Sequence, residues 1–141
     1  MYYFAYGSNM SFEHMRRICG WHFTVIGVGK LNGYEFGPDG RGYANVRKSG
    51  SNHVYGVLYE LDQYSLDALD EFEGYPDIFG RNEVEVEDEN MEKYTAWVYM
   101  EKPDKFNGDY IRQEYLKRVI SGAVENRLPE EWIKFLTTYQ T

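Results

Sequence analysis

Runs rich in tyrosine, phenylalanine and valine, each cut short by glycine, fill the first two thirds of this chain, and its longer helix-compatible stretches come only at the end. That order has no regular β-α-β alternation. It argues against a parallel sheet wrapped in helices and for an α+β fold built around a curled or barrel-like sheet.

Tyr2 to Tyr6 reads as a short buried strand, which Gly7-Ser8-Asn9 breaks before Ser11, an N-cap for a helix over Phe12 to Ile18. Further strands are expected over Phe23–Val28, Tyr34–Phe36, Tyr43–Val46 and His53–Leu61, with a turn at Gly37-Pro38-Asp39-Gly40. The alternation Glu83-Val84-Glu85-Val86-Glu87, followed by Asp88-Glu89-Asn90, predicts a hairpin with a partner over Tyr94–Tyr99 and one solvated face. Helices are expected over Tyr64–Phe72, over Tyr110–Glu125, and from Pro129 through Trp132 and Leu136.

At 141 residues and 43% apolar content the chain can bury a real core, and a single domain over residues 1–141 is expected. No apolar run approaches the roughly 20 residues that a bilayer needs, and MYYFAYGSN lacks the pattern of a leader. A soluble, unprocessed protein away from membranes is expected. A lone cysteine, Cys19, permits neither an internal disulfide nor a cysteine metal cage, which suits the reducing cytoplasm. The formal charge of −8, with Lys and Arg scattered, argues against a nucleic-acid partner.

One acidic residue is out of place. In the helix over Tyr64–Phe72 the stripe Leu66, Leu69 continues by four onto Glu73, so a glutamate takes a core position. Gly74 would end the helix there, setting the carboxylate against the negative end of the dipole. Burial and the neighbours Asp70 and Glu71 would act the same way, raising its pKa toward neutrality, where a carboxyl can both take and return a proton. Spacing alone also allows a helix that stops one residue sooner, with Glu73 in water, and the rarity of buried acidic residues favours that reading.

The turn Tyr6-Gly7-Ser8-Asn9 lies between a strand and a helix start, where free backbone N–H groups can hold a carboxylate or an oxyanion. A plain capped turn would use the same residues. Ser8 lacks the Gly-x-Ser-x-Gly elbow of a serine nucleophile, and no spacing ties His14, His22 or His53 to it as a base or to one another as metal ligands. Cys19, beside Ile18, reads as a small buried hydrophobe.

Two strings, Tyr3-Phe4-Ala5-Tyr6-Gly7-Ser8-Asn9-Met10 and Leu69-Asp70-Glu71-Phe72-Glu73-Gly74-Tyr75-Pro76, together resemble the paired signatures of the γ-glutamyl cyclotransferase (AIG2-like) family. HVYGVLYEL at His53–Leu61 and YLKRVISGAVENRLP at Tyr115–Pro129 agree, so the likeness runs from Tyr3 to about Trp132. The resemblance implies a mixed, partly closed β-barrel flanked by helices, no cofactor and no metal. It implies conversion of a γ-glutamyl group to 5-oxoproline with release of a free amine. Glu73 would then be the general acid/base, with Tyr3, Phe4, Ala5, Tyr6, Gly7, Ser8, Asn9 and Tyr115 binding substrate. Tyr115 also shares a helical face with Ile111 and Val119, as a core aromatic would. The family branch with Gly-Tyr-Pro after the glutamate usually carries a tyrosine two residues before an arginine. Here that string is Phe79-Gly80-Arg81.

Cyclisation is intramolecular: the substrate's α-amine attacks its own γ-carbonyl, so one carboxylate can make both proton transfers. The competing readings are a γ-glutamyl amide hydrolase releasing glutamate and a non-catalytic module that binds γ-glutamyl compounds or 5-oxoproline. A small-molecule γ-glutamyl partner is expected on either cyclotransferase or binding reading, and a monomer and a homodimer fit equally well.

Overall fold

The computed structural model describes residues 1–141. Five strands close into a mixed barrel in the order β1 (Tyr2–Ala5), β3 (Ala44–Leu61), β2 (Phe23–Pro38), β4 (Gly80–Glu87), β5 (Lys93–Met100). The seam between β1 and β5 is parallel and the other pairings are antiparallel. The seam between β2 and β4 is a single pair, Lys30 opposite Glu87.

Four expected strands are in fact two long ones. Phe23–Val28 and Tyr34–Phe36 fuse into β2, while Tyr43–Val46 and His53–Leu61 fuse into β3, joined by the expected turn near Asp39. Where the pattern breaks, β2 carries register shifts at Val25/Gly27 and Asn32/Tyr34 that bend the strand without ending it. Just beyond Val46 the polar part of β3 is exposed but still paired, with Lys48 opposite Tyr34 and Arg47 opposite Glu35 and ion-paired to it at 2.9 Å, before the register shift that leaves residues 49–52 without a register partner on β2. The Glu83–Glu87 and Tyr94–Tyr99 hairpin forms as expected, and its turn is closed by the Asp88 carboxylate, which accepts the Asn90 and Glu92 N–H groups.

Helix α1 spans Phe12–Cys19, with Ser11 Oγ accepting the His14 N–H at 3.3 Å. Helix α2 spans Gln63–Glu73 and is capped by Asp62. Helix α3, Gln113–Glu125, begins three residues later than expected because Arg112 is held extended, its N–H and Nε donating to Gly42 and Arg41 carbonyls. Helix α4, Glu130–Thr137, follows Pro129 and packs Trp132 and Phe135 onto Phe36. One core of 30 buried residues joins barrel and helices. No helix is long and apolar enough to cross a membrane.

Candidate active site

Between the end of α2, the turn after β1 and the first turns of α3 lies a cavity of about 360 Å³, within the range that binds small molecules. Glu73 lines it. Leu66 and Leu69 are buried, and Glu73 continues their stripe as the last residue of α2. Gly74 then takes a left-handed conformation (φ 70°, ψ 34°), a helix-ending geometry that glycine adopts without steric cost. The helix therefore runs to Glu73 and presents its carboxyl to the cavity.

Asn9 Nδ2 donates to Glu73 Oε1 at 3.1 Å, and Oε2 has no protein partner. The Glu73 pKa is pushed up to about 7, chiefly by burial and also by the Glu101 carboxylate, against the opposing Asn9 bond and Arg41 charge. The expected part of Asp70 and Glu71 in this rise is not what the structure shows. Asp70 is bound by Arg81 at 2.8 and 3.1 Å and by the Tyr99 hydroxyl at 2.6 Å, and Glu71 points to water.

After β1 the chain makes a short 3-10 turn, Ser8–Met10. Asn9 is fixed from three sides: Nδ2 also donates to the Tyr3 hydroxyl at 2.8 Å, and the Asn9 carbonyl accepts from Tyr59 at 2.6 Å. Its Oδ1 is buried and unpartnered, a costly state that a ligand donor would relieve. At the C-terminal cap of α3, Asn126 Nδ2 holds the Met10 carbonyl at 2.8 Å. Gly7 is a glycine for a steric reason: a Cβ there would stand 2.6 Å from the Tyr115 hydroxyl.

Tyr115, third residue of α3, thus reaches the turn, where its oxygen accepts the Ala44 N–H at 3.4 Å and burial keeps its O–H protonated. Tyr3, Phe4, Tyr6, Ser8 and Asn9 line the cavity as expected, while Ala5 is buried in the β1–β3 ladder opposite Val57 and does not. Among the tyrosines, Tyr6 donates to the Tyr99 carbonyl at 2.7 Å and Tyr99 donates to Asp70. Their protons are committed. Those of Tyr3 and Tyr115 are not, so both hydroxyls can donate into the cavity.

Several lining residues carry no local sequence signal. Arg41 comes from the β2–β3 turn and is gripped by the buried carboxylates Glu101 (2.6 Å) and Asp39 (3.3 Å). Burial and the neighbouring Asp39 raise the Glu101 pKa. Tyr43 packs edge-on against Tyr115, their centroids 5.1 Å apart. Phe79 lines the cavity with no hydroxyl to offer. Arg118 had one available clue: three residues past Tyr115, it shares that helical face.

Comparisons with known proteins establish the family and the fold. Residues 3–118 match the model of the family described as "Gamma-glutamyl cyclotransferase, AIG2-like". The chain is 28% identical to a bovine γ-glutamylcyclotransferase over 149 aligned positions, covering 98% of this chain and 78% of the relative. To a human γ-glutamylcyclotransferase it is 29% identical, covering 92% and 73%. A solved structure titled γ-glutamyl cyclotransferase superposes with a TM-score of 0.91 at 24% identity, covering 99% of this chain and 88% of that one, a likeness of fold. The chain belongs to the γ-glutamyl cyclotransferase, AIG2-like family.

Proposed function

We propose that the protein is a cofactor-independent γ-glutamyl cyclotransferase, releasing 5-oxoproline and a free amine from a γ-glutamyl peptide or amine, with Glu73 as general acid/base. The observation that carries this reading is the half-buried Glu73 carboxyl, with a pKa of about 7, facing a small-molecule cavity with one oxygen free. At neutral pH both of its protonation states are well populated, as a group that takes and then returns one proton requires.

The substrate's α-ammonium fits beside Glu73 and the unpartnered Asn9 Oδ1, both acceptors. The α-ammonium gives up one proton to solvent, and the resulting amine attacks the γ-carbonyl carbon while Glu73 takes a second proton from that nitrogen. The C–N bond to the leaving amine breaks as its nitrogen receives this proton from Glu73. Negative charge on the carbonyl oxygen is met by free donors: the Tyr3 and Tyr115 hydroxyls and the Gly7 N–H, which has no acceptor in the chain. No protein nucleophile is called for, and the Ser8 side chain hydrogen-bonds to no histidine.

Incubation with a panel of γ-glutamyl amino acids, γ-glutamyl amines and glutathione, read by 5-oxoproline release, tests the reading. The expected product lacks a primary amine. Free glutamate instead would identify a hydrolase, and tight binding without any product would identify a binding module.

A further inference from the structure

The cavity changes character from floor to rim. Tyr3, Tyr6, Asn9 and Tyr99 are nearly inaccessible to water, whereas Phe72 and Ile78 leave 51% and 52% of their surface exposed. Large apolar side chains half in water are unremarkable singly, but two on the wall of one cavity form a surface that a ligand can cover. Arg118 lines the cavity with them. It is exposed, and it makes no ion pair in a chain whose formal charge is −8.

The two arginines of the cavity are therefore unlike. Arg41 is spoken for by Asp39 and Glu101, and its charge bears on Glu73. Arg118 is free and lines the same cavity as Phe72, and its charge, after burial, helps lower the pKa of His14, the ring that packs edge-on against Phe72 at 5.1 Å. A free guanidinium beside an apolar wall matches one kind of molecule, a carboxylate carrying an apolar side chain.

We infer that this rim seats the departing amine and selects α-amino acids with apolar side chains, Arg118 taking the carboxylate and Phe72 with Ile78 the side chain. The preferred substrates are then γ-glutamyl derivatives of apolar amino acids. A leaving group with a second ammonium, such as lysine, meets the like charge of Arg118 and an apolar wall. Amines lacking a carboxylate lose the charge-assisted bond. The inference rests on the cyclotransferase reading and goes beyond it to the substrate.

The test compares kcat/KM for γ-glutamyl-L-phenylalanine and γ-glutamyl-phenethylamine, which differ only in the carboxylate, by 5-oxoproline release. A partly exposed charged hydrogen bond predicts a preference of roughly 10-fold for the first. Arg118→Gln, checked for an unaltered melting temperature, brings the ratio to within roughly twofold by slowing the carboxylate substrate. Phe72→Ser narrows the preference for γ-glutamyl-L-phenylalanine over γ-glutamylglycine by roughly fivefold, the size expected for partial burial of an aromatic ring. Equal rates on the first pair in the parent, or a ratio that survives Arg118→Gln, overturn the inference while the cyclotransferase reading stands. If neither compound yields 5-oxoproline while another γ-glutamyl compound of the panel does, the inference alone falls; if none of the panel does, the reading beneath falls with it.

Discussion

Replacing Glu73 by glutamine separates the cost of this residue from its use. A folded-state pKa near 7 against an ordinary 4.5 means that the folded protein holds this proton more tightly than the unfolded chain does. A carboxyl raised in this way contributes stability that is full below pH 4.5 and is lost as pH rises through 7. At about 1.4 kcal/mol per pH unit the ionised carboxylate costs about 3 kcal/mol, and partial exposure brings this toward about 2 kcal/mol. Glutamine carries no charge, and its carbonyl can still accept from Asn9 Nδ2. The variant should match the parent near pH 4 and exceed it by about 2 to 3 kcal/mol at pH 8.5, measured by urea denaturation at both values. Its 5-oxoproline release should fall by about 10²- to 10⁴-fold. Parallel stability profiles for parent and variant would refute the half-buried ionisable carboxyl, and parental turnover in the variant would refute its role in proton transfer.

Gly7→Ala forces the Tyr115 hydroxyl away from a Cβ that would stand 2.6 Å from it; turnover should fall by roughly 10- to 100-fold. Adding Tyr115→Phe should recover the melting temperature that Gly7→Ala loses, in a double-mutant cycle. Asp70→Asn strips Arg81 and Tyr99 of their shared carboxylate, and urea denaturation should show a loss of about 2 to 4 kcal/mol. His14 is buried, and its pKa is lowered from 6.5 to about 4 by desolvation and then by the nearby Arg118 and Arg17 charges. Its contribution to stability is full above pH 6.5 and is lost as pH falls toward 4, so His14→Met should remove about 3 kcal/mol of the acid-side decline seen in denaturation curves.

What the residues alone reveal of this molecule follows the reach of each physical signal. Strand, helix and cap are local, so Ser11, the alternation at Glu83–Glu87 and the stripe ending on Glu73 identify their elements directly. Apolar periodicity, by contrast, reports only packed faces. The polar stretch of β3 between Val46 and His53 gives no apolar signal, although the strand runs through it and pairs with β2 on either side of a register shift, and the chain looks broken where it is solvated and locally irregular. The site divides in the same way. Glu73 and the Tyr6–Asn9 turn are legible because each breaks or completes a local pattern, and the family resemblance joins them. Arg41, Tyr43 and Tyr99 reach the cavity only through barrel closure and the register of β5 against β1 and β4, so no window of sequence contains the reason for their presence. The cause of the Glu73 pKa shows the same limit. Asp70 and Glu71 are its neighbours in sequence, yet Arg81 and Tyr99 hold the first and water receives the second, while the carboxylate that does act on Glu73 is Glu101, 28 residues away. The chain thus separates two acidic roles within one four-residue stretch: Asp70 is ion-paired to anchor the barrel wall, and Glu73 is half-buried without a cation bound to it, which keeps its proton available near neutral pH.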